Sequence, residues 1–123
     1  MVDRPDRLDG LIQELTRSTG PVAVDTERAS GFRYHNWAYL IQLKTFRDGI
    51  HLIDPMALAP ADGLADLSRL NQALADREWI IHAASQDLHC LVELGLRPNR
   101  LFDTELAARL LGRSRVGLGP LVE

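Results

Sequence analysis

Apolar residues along this chain recur with two periods, and the periods divide it into elements. Leu8, Leu11, Ile12 and Leu15 fall at i, i+3, i+4 and i+7, the stripe of an amphipathic helix. Gly20-Pro21 stops it. Val22-Ala23-Val24 is apolar on both faces, as a central strand is. Arg28 to Asn36, with Ser30 and Gly31, reads as a loop. From Trp37 the pattern alternates: Trp37, Tyr39, Ile41 and Leu43 take one face, and Ala38, Leu40 and Gln42 the other. That is a strand. Asp48-Gly49 predicts a hairpin into a further strand, Ile50 to Ile53. Asp54-Pro55 ends this arm, because proline lacks the donor that a sheet interior needs.

The second half alternates helix and strand. Asp62 is expected to cap a helix carrying Leu64, Leu67, Asn71 and Leu74. Trp79-Ile80-Ile81 is a short apolar run and reads as a buried strand. Ser85 is the expected cap of a helix with Ala84, Leu88 and Leu91 on one face, ended by Gly95. Leu101-Phe102 predicts a last short strand. Asp103 is the expected cap of a helix with Leu106, Ala107, Leu110 and Leu111, closed by Gly112. No internal repeat or low-complexity segment interrupts this order. Strands followed by alternating helix and strand imply an α/β fold, a mixed sheet flanked by helices. After a helical crossover, Trp79 to Ile81 is expected to lie parallel to Val22 to Val24.

Candidate chemistry sits at the ends of those two strands. Val24 runs into Asp25-Thr26-Glu27, and residues at i and i+2 of a strand share a face. Two adjacent carboxylates repel unless water or a cation separates them. Oxygen donors at this spacing suit Mg²⁺ or Mn²⁺, although a strand ending in a polar turn has the same form. Asp87, in the first turn of the helix after Trp79 to Ile81, would face the same sheet edge. A first-turn aspartate also simply complements the helix dipole.

Composition limits the alternatives. At 123 residues and 46% hydrophobic, the chain can bury one core. No apolar run approaches the roughly 20 residues that span a bilayer. Met1-Val2-Asp3-Arg4-Pro5 lacks the apolar core of a signal peptide. Cys90 stands alone, so no internal disulfide forms. The expectation is a cytoplasmic protein that is not a membrane protein. A net charge of −3 provides no global basic field for nucleic acid, but does not argue against an enzyme that meets it through bound cations.

Several stretches together resemble one family. Val24-Asp25-Thr26-Glu27 resembles the first exonuclease motif of the DEDD superfamily of 3′–5′ exonucleases. The stretch from Trp37 to Leu43, with Ile41-Gln42-Leu43, resembles that family's second strand, and Leu52-Ile53-Asp54-Pro55 the end of its third. His82-Ala83-Ala84-Ser85-Gln86-Asp87 resembles the second motif in the form used by ribonuclease D and its relatives. The run from Phe102-Asp103-Thr104 to Leu111-Gly112 resembles the segment that follows. The matches keep the family order and span nearly the whole chain.

The resemblance implies a ribonuclease H-like fold whose first three strands are antiparallel, and a two-metal hydrolysis of RNA 3′ ends in RNA processing. One divalent ion activates a water; a second, about 4 Å away, neutralises the leaving oxygen. Carried over, Asp25 would bridge both ions, Glu27 would bind the first, and Asp87 would bind near the second. Glu27 would also read the 3′-terminal hydroxyl. Backbone around Thr26 and Arg28 would meet the terminal nucleotide. The partner implied is RNA, with single-stranded DNA left open. From its own position, His82 reads as a local hydrogen-bonding or substrate-facing group.

One part of the pattern is missing. The family uses a fourth carboxylate on a later helix, and the ribonuclease D branch places a Tyr four residues before it. Here no Tyr follows Tyr39, no Asp follows Asp103, and Glu123 is the only acid beyond Glu105. Residues 1–123 are therefore expected to be the N-terminal portion of an exonuclease domain. That portion is expected to be inactive alone and to expose apolar sheet surface that favours self-association. Two other readings stay open: a non-catalytic nuclease-like module that binds nucleic acid or protein, and a plain α/β domain whose carboxylates only cap and solvate. His82, His89 and Cys90 lack a recognisable zinc spacing. Arg28, Arg33, Lys44 and Arg47 gather loosely near the first motif, where they would meet phosphates or simply solvate the surface.

Overall fold

Period-two alternation along one strand decides which side of the sheet is dry. The computed structural model describes residues 1–28, 38–46 and 49–111. Its elements are α1 (Pro5–Arg17), β1 (Val22–Arg28), β2 (Ala38–Thr45), β3 (Gly49–Ile53), α2 (Ser68–Ala73), β4 (Glu78–Ile81), α3 (Ala84–Glu93), β5 (Arg100–Asp103) and α4 (Thr104–Leu110). The five strands are ordered β3-β2-β1-β4-β5. β1, β2 and β3 pair antiparallel, whereas β4 lies parallel to β1 and β5 parallel to β4. This is the mixed sheet that the pattern predicts.

Val22, Val24 and Thr26 of β1 are buried on one face, with Leu43 and Ile41 opposite Val24 and Thr26 on β2. Ile53, Trp79 and Ile81 extend that face into β3 and β4. Leu11 and Leu15 of α1, Leu70 of α2, and Cys90 and Leu91 of α3 join them in one core. The helices that complete this core therefore cover the same side of the sheet. On the other side Ala23, Leu40, Leu52 and Ile80 are half-buried, and Ile50 and Phe102 are 61% and 47% exposed. Water reaches this second face, so it can carry charge at little cost.

Several local expectations change. The first strand does not stop at Val24 but runs through both carboxylates to Arg28, because pairing with β2 continues to Ala38. Asp62 does not cap a helix: residues 54–63 form turns and α2 begins only at Ser68. Leu67 N–H donates to Leu94 O at 2.7 Å, which ties the entry of α2 to the end of α3. Asp66 takes the local role instead, its Oδ1 accepting from Ser68 N–H at 3.0 Å. The Ser68 hydroxyl and N–H hold the Asp66 carboxyl below its ordinary value. Ser85 lies inside α3, whose N-cap is Ala83. In α4 only Ala108 is buried, and Leu106, Leu110 and Leu111 face water. Arg28, expected to open the loop Arg28 to Asn36, instead ends β1; the rest of that loop, Trp37, Arg47, Asp48 and the predicted close at Gly112 lie outside the described residues.

Arg77 joins the two ends of the core. It is 4% exposed, yet its guanidinium donates to Leu15 O at 3.0 Å, to Gly20 O at 3.2 Å and to the Ser18 hydroxyl. It thus satisfies carbonyls that α1 leaves open where it ends before β1. Arg77→Met would remove the hydrogen bonds that this buried guanidinium gives to those oxygens. Urea denaturation is expected to show a loss of about 1–3 kcal/mol; an unchanged midpoint would remove this role from Arg77.

Candidate active site

The central strand carries the site because its two faces differ. Asp25 and Glu27 both point to the open face and both are exposed. Their cross-strand partners are Gln42 and Leu40, and a bulge follows between Glu27 and Arg28. Ala23, Gln42, Lys44 and Ile50 line a shallow depression of about 180 Å³ with Asp25. Water screens the repulsion between the pair there. Thr26 points the other way: its side chain is 8% exposed, and Oγ1 has no hydrogen-bond partner among the described residues. Thr26 therefore has only its backbone to offer a ligand on the open face. Arg28 closes β1, but its side chain, like Arg33 and Arg47, lies outside the described part.

β4 pairs with β1 only at Val22 and Ala23. From Val24 onward no described strand flanks β1 on that side, and every second residue there turns its backbone groups away from β2. The chain leaves β4 at Ile81, passes His82 and Ala83, and enters α3. Asp87 falls in the first turn of α3 and is 6% exposed. The positive end of the helix favours its carboxylate. Cys90 is buried and donates from Sγ to the Asp87 backbone carbonyl at 3.2 Å, so this thiol has a structural place in the core.

The structure thus brings Asp25 and Glu27 together and puts Asp87 on the neighbouring element. It does not gather the three into one cluster: among the described residues, no group of three or more His, Cys, Asp or Glu could hold a metal ion. Burial separates them, since the pair faces water and Asp87 is packed. A cavity of about 210 Å³, lined by Pro55, Met56, Leu64 and Cys90 among others, shares no residue with these three acids.

Sequence reasoning placed Asp103 as a cap of α4, and it is one, accepting from Glu105 N–H at 2.9 Å and Leu106 N–H at 3.3 Å. The same carboxylate also accepts from Ala83 N–H at 3.0 Å and Ala84 N–H at 2.8 Å, across the β4–α3 turn. His82 Nδ1 lies 2.8 Å from Thr104 Oγ1 in the next link of that contact. The one signal in the sequence was negative: Ala83-Ala84 offers no side-chain acceptor for the start of α3.

Comparison with known proteins decides the family. A family model described as 3′-5′ exonuclease matches residues 1–123. The chain belongs to the 3′–5′ exonuclease family. Within that family it is ribonuclease D-like. It is 37% identical over 107 residues to ribonuclease D of Sphingobium indicum, covering 83% of this chain and 26% of that one. A crystal structure of a protein from Bifidobacterium adolescentis superposes with TM-score 0.91 at 47% identity, covering 100% of this chain and 29% of that one. Escherichia coli RNase D gives TM-score 0.81 at 31% identity, covering 100% and 32%. The chain spans about a quarter of the length of the curated ribonuclease D relatives it matches. The α/β sheet with its flanking helices is the architecture of the exonuclease domain in these neighbours.

Asp103 gives this site a measurable acid response. Burial opposes its charge, but N–H groups of Ala84, Leu106, Ala83 and Glu105 outweigh that and hold its carboxyl below the ordinary value. The charged form is favoured by folding. Its stabilisation is therefore present above the ordinary carboxylate range and is lost as pH falls through the lowered folded value. Wild type is expected to be more stable than Asp103→Asn at neutral pH, with the gap closing in strong acid. Thermal melts across that range check it; a gap independent of pH would contradict the assignment.

Proposed function

We propose that this chain forms the N-terminal portion of a cytoplasmic 3′–5′ exoribonuclease of ribonuclease D type, which hydrolyses RNA 3′ ends with two divalent ions. The observation that carries the reading is the pair Asp25 and Glu27, exposed side by side on the central strand of a family fold. The Escherichia coli relative is described as an exoribonuclease involved in structured RNA processing, which supports RNA over single-stranded DNA as the partner. The lone Cys90 suits a reducing compartment, and no described helix is long and apolar enough to cross a membrane.

The donor set fits a hard cation: carboxylate oxygens alone, as Mg²⁺ and Mn²⁺ prefer. Asp25, Glu27 and Asp87 are the residues that would hold it. Bound divalent ions supply an activated water and charge neutralisation at the leaving oxygen. The chain's own groups bind and orient. Glu27 takes the 3′-terminal hydroxyl as an acceptor. Backbone at Thr26 and Arg28, where no described strand flanks β1 on the β4 side, meets the terminal nucleotide. With Nδ1 held by Thr104, His82 offers Nε2 to a phosphate oxygen.

The described residues do not gather a further acid with Asp25, Glu27 and Asp87. On this reading the polypeptide by itself has negligible nuclease activity. A second reading, a non-catalytic nuclease-like module that binds nucleic acid or protein, is favoured by the lack of a three-acid cluster among the described residues. The two separate in the complete enzyme, where Asp25→Ala is expected to reduce Mg²⁺- or Mn²⁺-dependent nucleotide release from an RNA 3′ end to background. Undiminished release would defeat the catalytic reading.

The open sheet face, with Ile50 and Phe102, the exposed Leu106 and Leu110 of α4, and Leu111 at its C-cap leave apolar area in water. Self-association of the chain is expected in sedimentation velocity at micromolar concentration. A single monomer boundary throughout would refute it.

A further inference from the structure

We infer that Asp103 is a positioning residue for the candidate site: its carboxylate fixes the His82–Ala84 turn and, through it, the first turn of α3 that carries Asp87. The inference rests on the reading of Asp87 as a site residue.

Helix α3 cannot hold its own start. Its N-cap is Ala83, which has no side-chain acceptor and adopts left-handed backbone, φ 53° and ψ 57°. Left-handed alanine is disfavoured and persists only where its surroundings enforce it. The first N–H groups of a helix also need acceptors from outside it. Both needs are met from another strand. Register pairs Ile81 with Asp103, so β5 delivers the carboxylate where β4 gives way to the turn. Oδ2 accepts from Ala84 N–H at 2.8 Å and Oδ1 from Ala83 N–H at 3.0 Å. Oδ1 is also the cap of α4. One carboxylate therefore joins two helix starts, and Thr104 adds the contact to His82 Nδ1. Asp87 lies three residues after Ala84 on the same helix, so the turn sets where its carboxylate stands.

Groups that orient metal ligands from behind affect affinity nearly as the ligands do. Asp103 has the placement of such a group without being a ligand. Asparagine keeps its shape but only one acceptor oxygen, and alanine keeps neither.

The experiment uses the full chain, ¹⁵N-labelled, with Mn²⁺ as the probe. Asp103→Ala is expected to shift the amide resonances of Ala83, Ala84 and Asp87, and to weaken Mn²⁺ binding about 10- to 100-fold. Free Mn²⁺ is read by electron paramagnetic resonance. Asp103→Asn, which keeps one acceptor oxygen, is expected to fall between wild type and Asp103→Ala, with both variants measured at temperatures well below their melts so that the folded fraction is not what is read. A folded Asp103→Ala chain with wild-type Mn²⁺ affinity overturns the inference. If wild type itself binds no Mn²⁺, the metal reading fails on its own, and the positioning role is then decided by the Asp87 amide: a shift upholds it and an unmoved resonance overturns it. If Asp103→Ala does not fold, Asp103→Asn and Thr104→Val carry the same comparison.

Discussion

Two carboxylates can stand side by side in the middle of this sheet because β1 keeps one face dry and the other wet. Val22, Val24 and Thr26 are pressed into the core, so Ala23, Asp25 and Glu27 must face the other way. A slip of one residue against β2 would bury both acids and expose the valines, so the register is strongly enforced. Everything chemical about the molecule follows from that division. The helices α1, α2 and α3 complete the core on the dry side, and the acids keep their water on the other. The apolar residues stranded on the wet face, Ile50 and Phe102, are the remaining cost of the arrangement.

The second half of the site depends on strand ends rather than strand faces. β4 runs beside β1 for only two residue pairs and then gives way to α3. That early departure leaves one side of β1 beyond Ala23 without a described strand and puts a helix start after the end of β4. A helix start is a set of N–H groups in search of acceptors, and here the acceptor comes from β5. Asp103 thus couples the start of α4, next to it in sequence, to the start of α3, about 20 residues earlier, and it does so with hydrogen bonds to backbone. Arg77 performs the matching task at the opposite end of α1, where carbonyls need donors.

Element types were largely legible because they rest on local periodicity. The i, i+3, i+4 stripe of α1, the alternation of Ile41 and Leu43, and the run Trp79 to Ile81 each express burial that the chain's own geometry dictates. Helix starts were less legible. Asp62 and Ser85 are good capping residues in the wrong places, because turns after Pro55 delayed α2 and a long-range carboxylate made a local cap of α3 unnecessary. Leu106, Leu110 and Leu111 have helical spacing but no described residue buries them, and periodicity cannot report what lies opposite.

For the site, sequence alone determined that Asp25 and Glu27 share a face, since period two leaves no choice, and that Asp87 opens a helix after a parallel strand. The ordered motifs also carried the family. Only the tertiary structure decided that the pair is exposed, that Asp87 is packed and not clustered with it, that Thr26 turns into the core, and that Asp103 serves two helices. Those outcomes depend on register between strands and on hydrogen bonds spanning about 20 residues of chain. No local pattern encodes either.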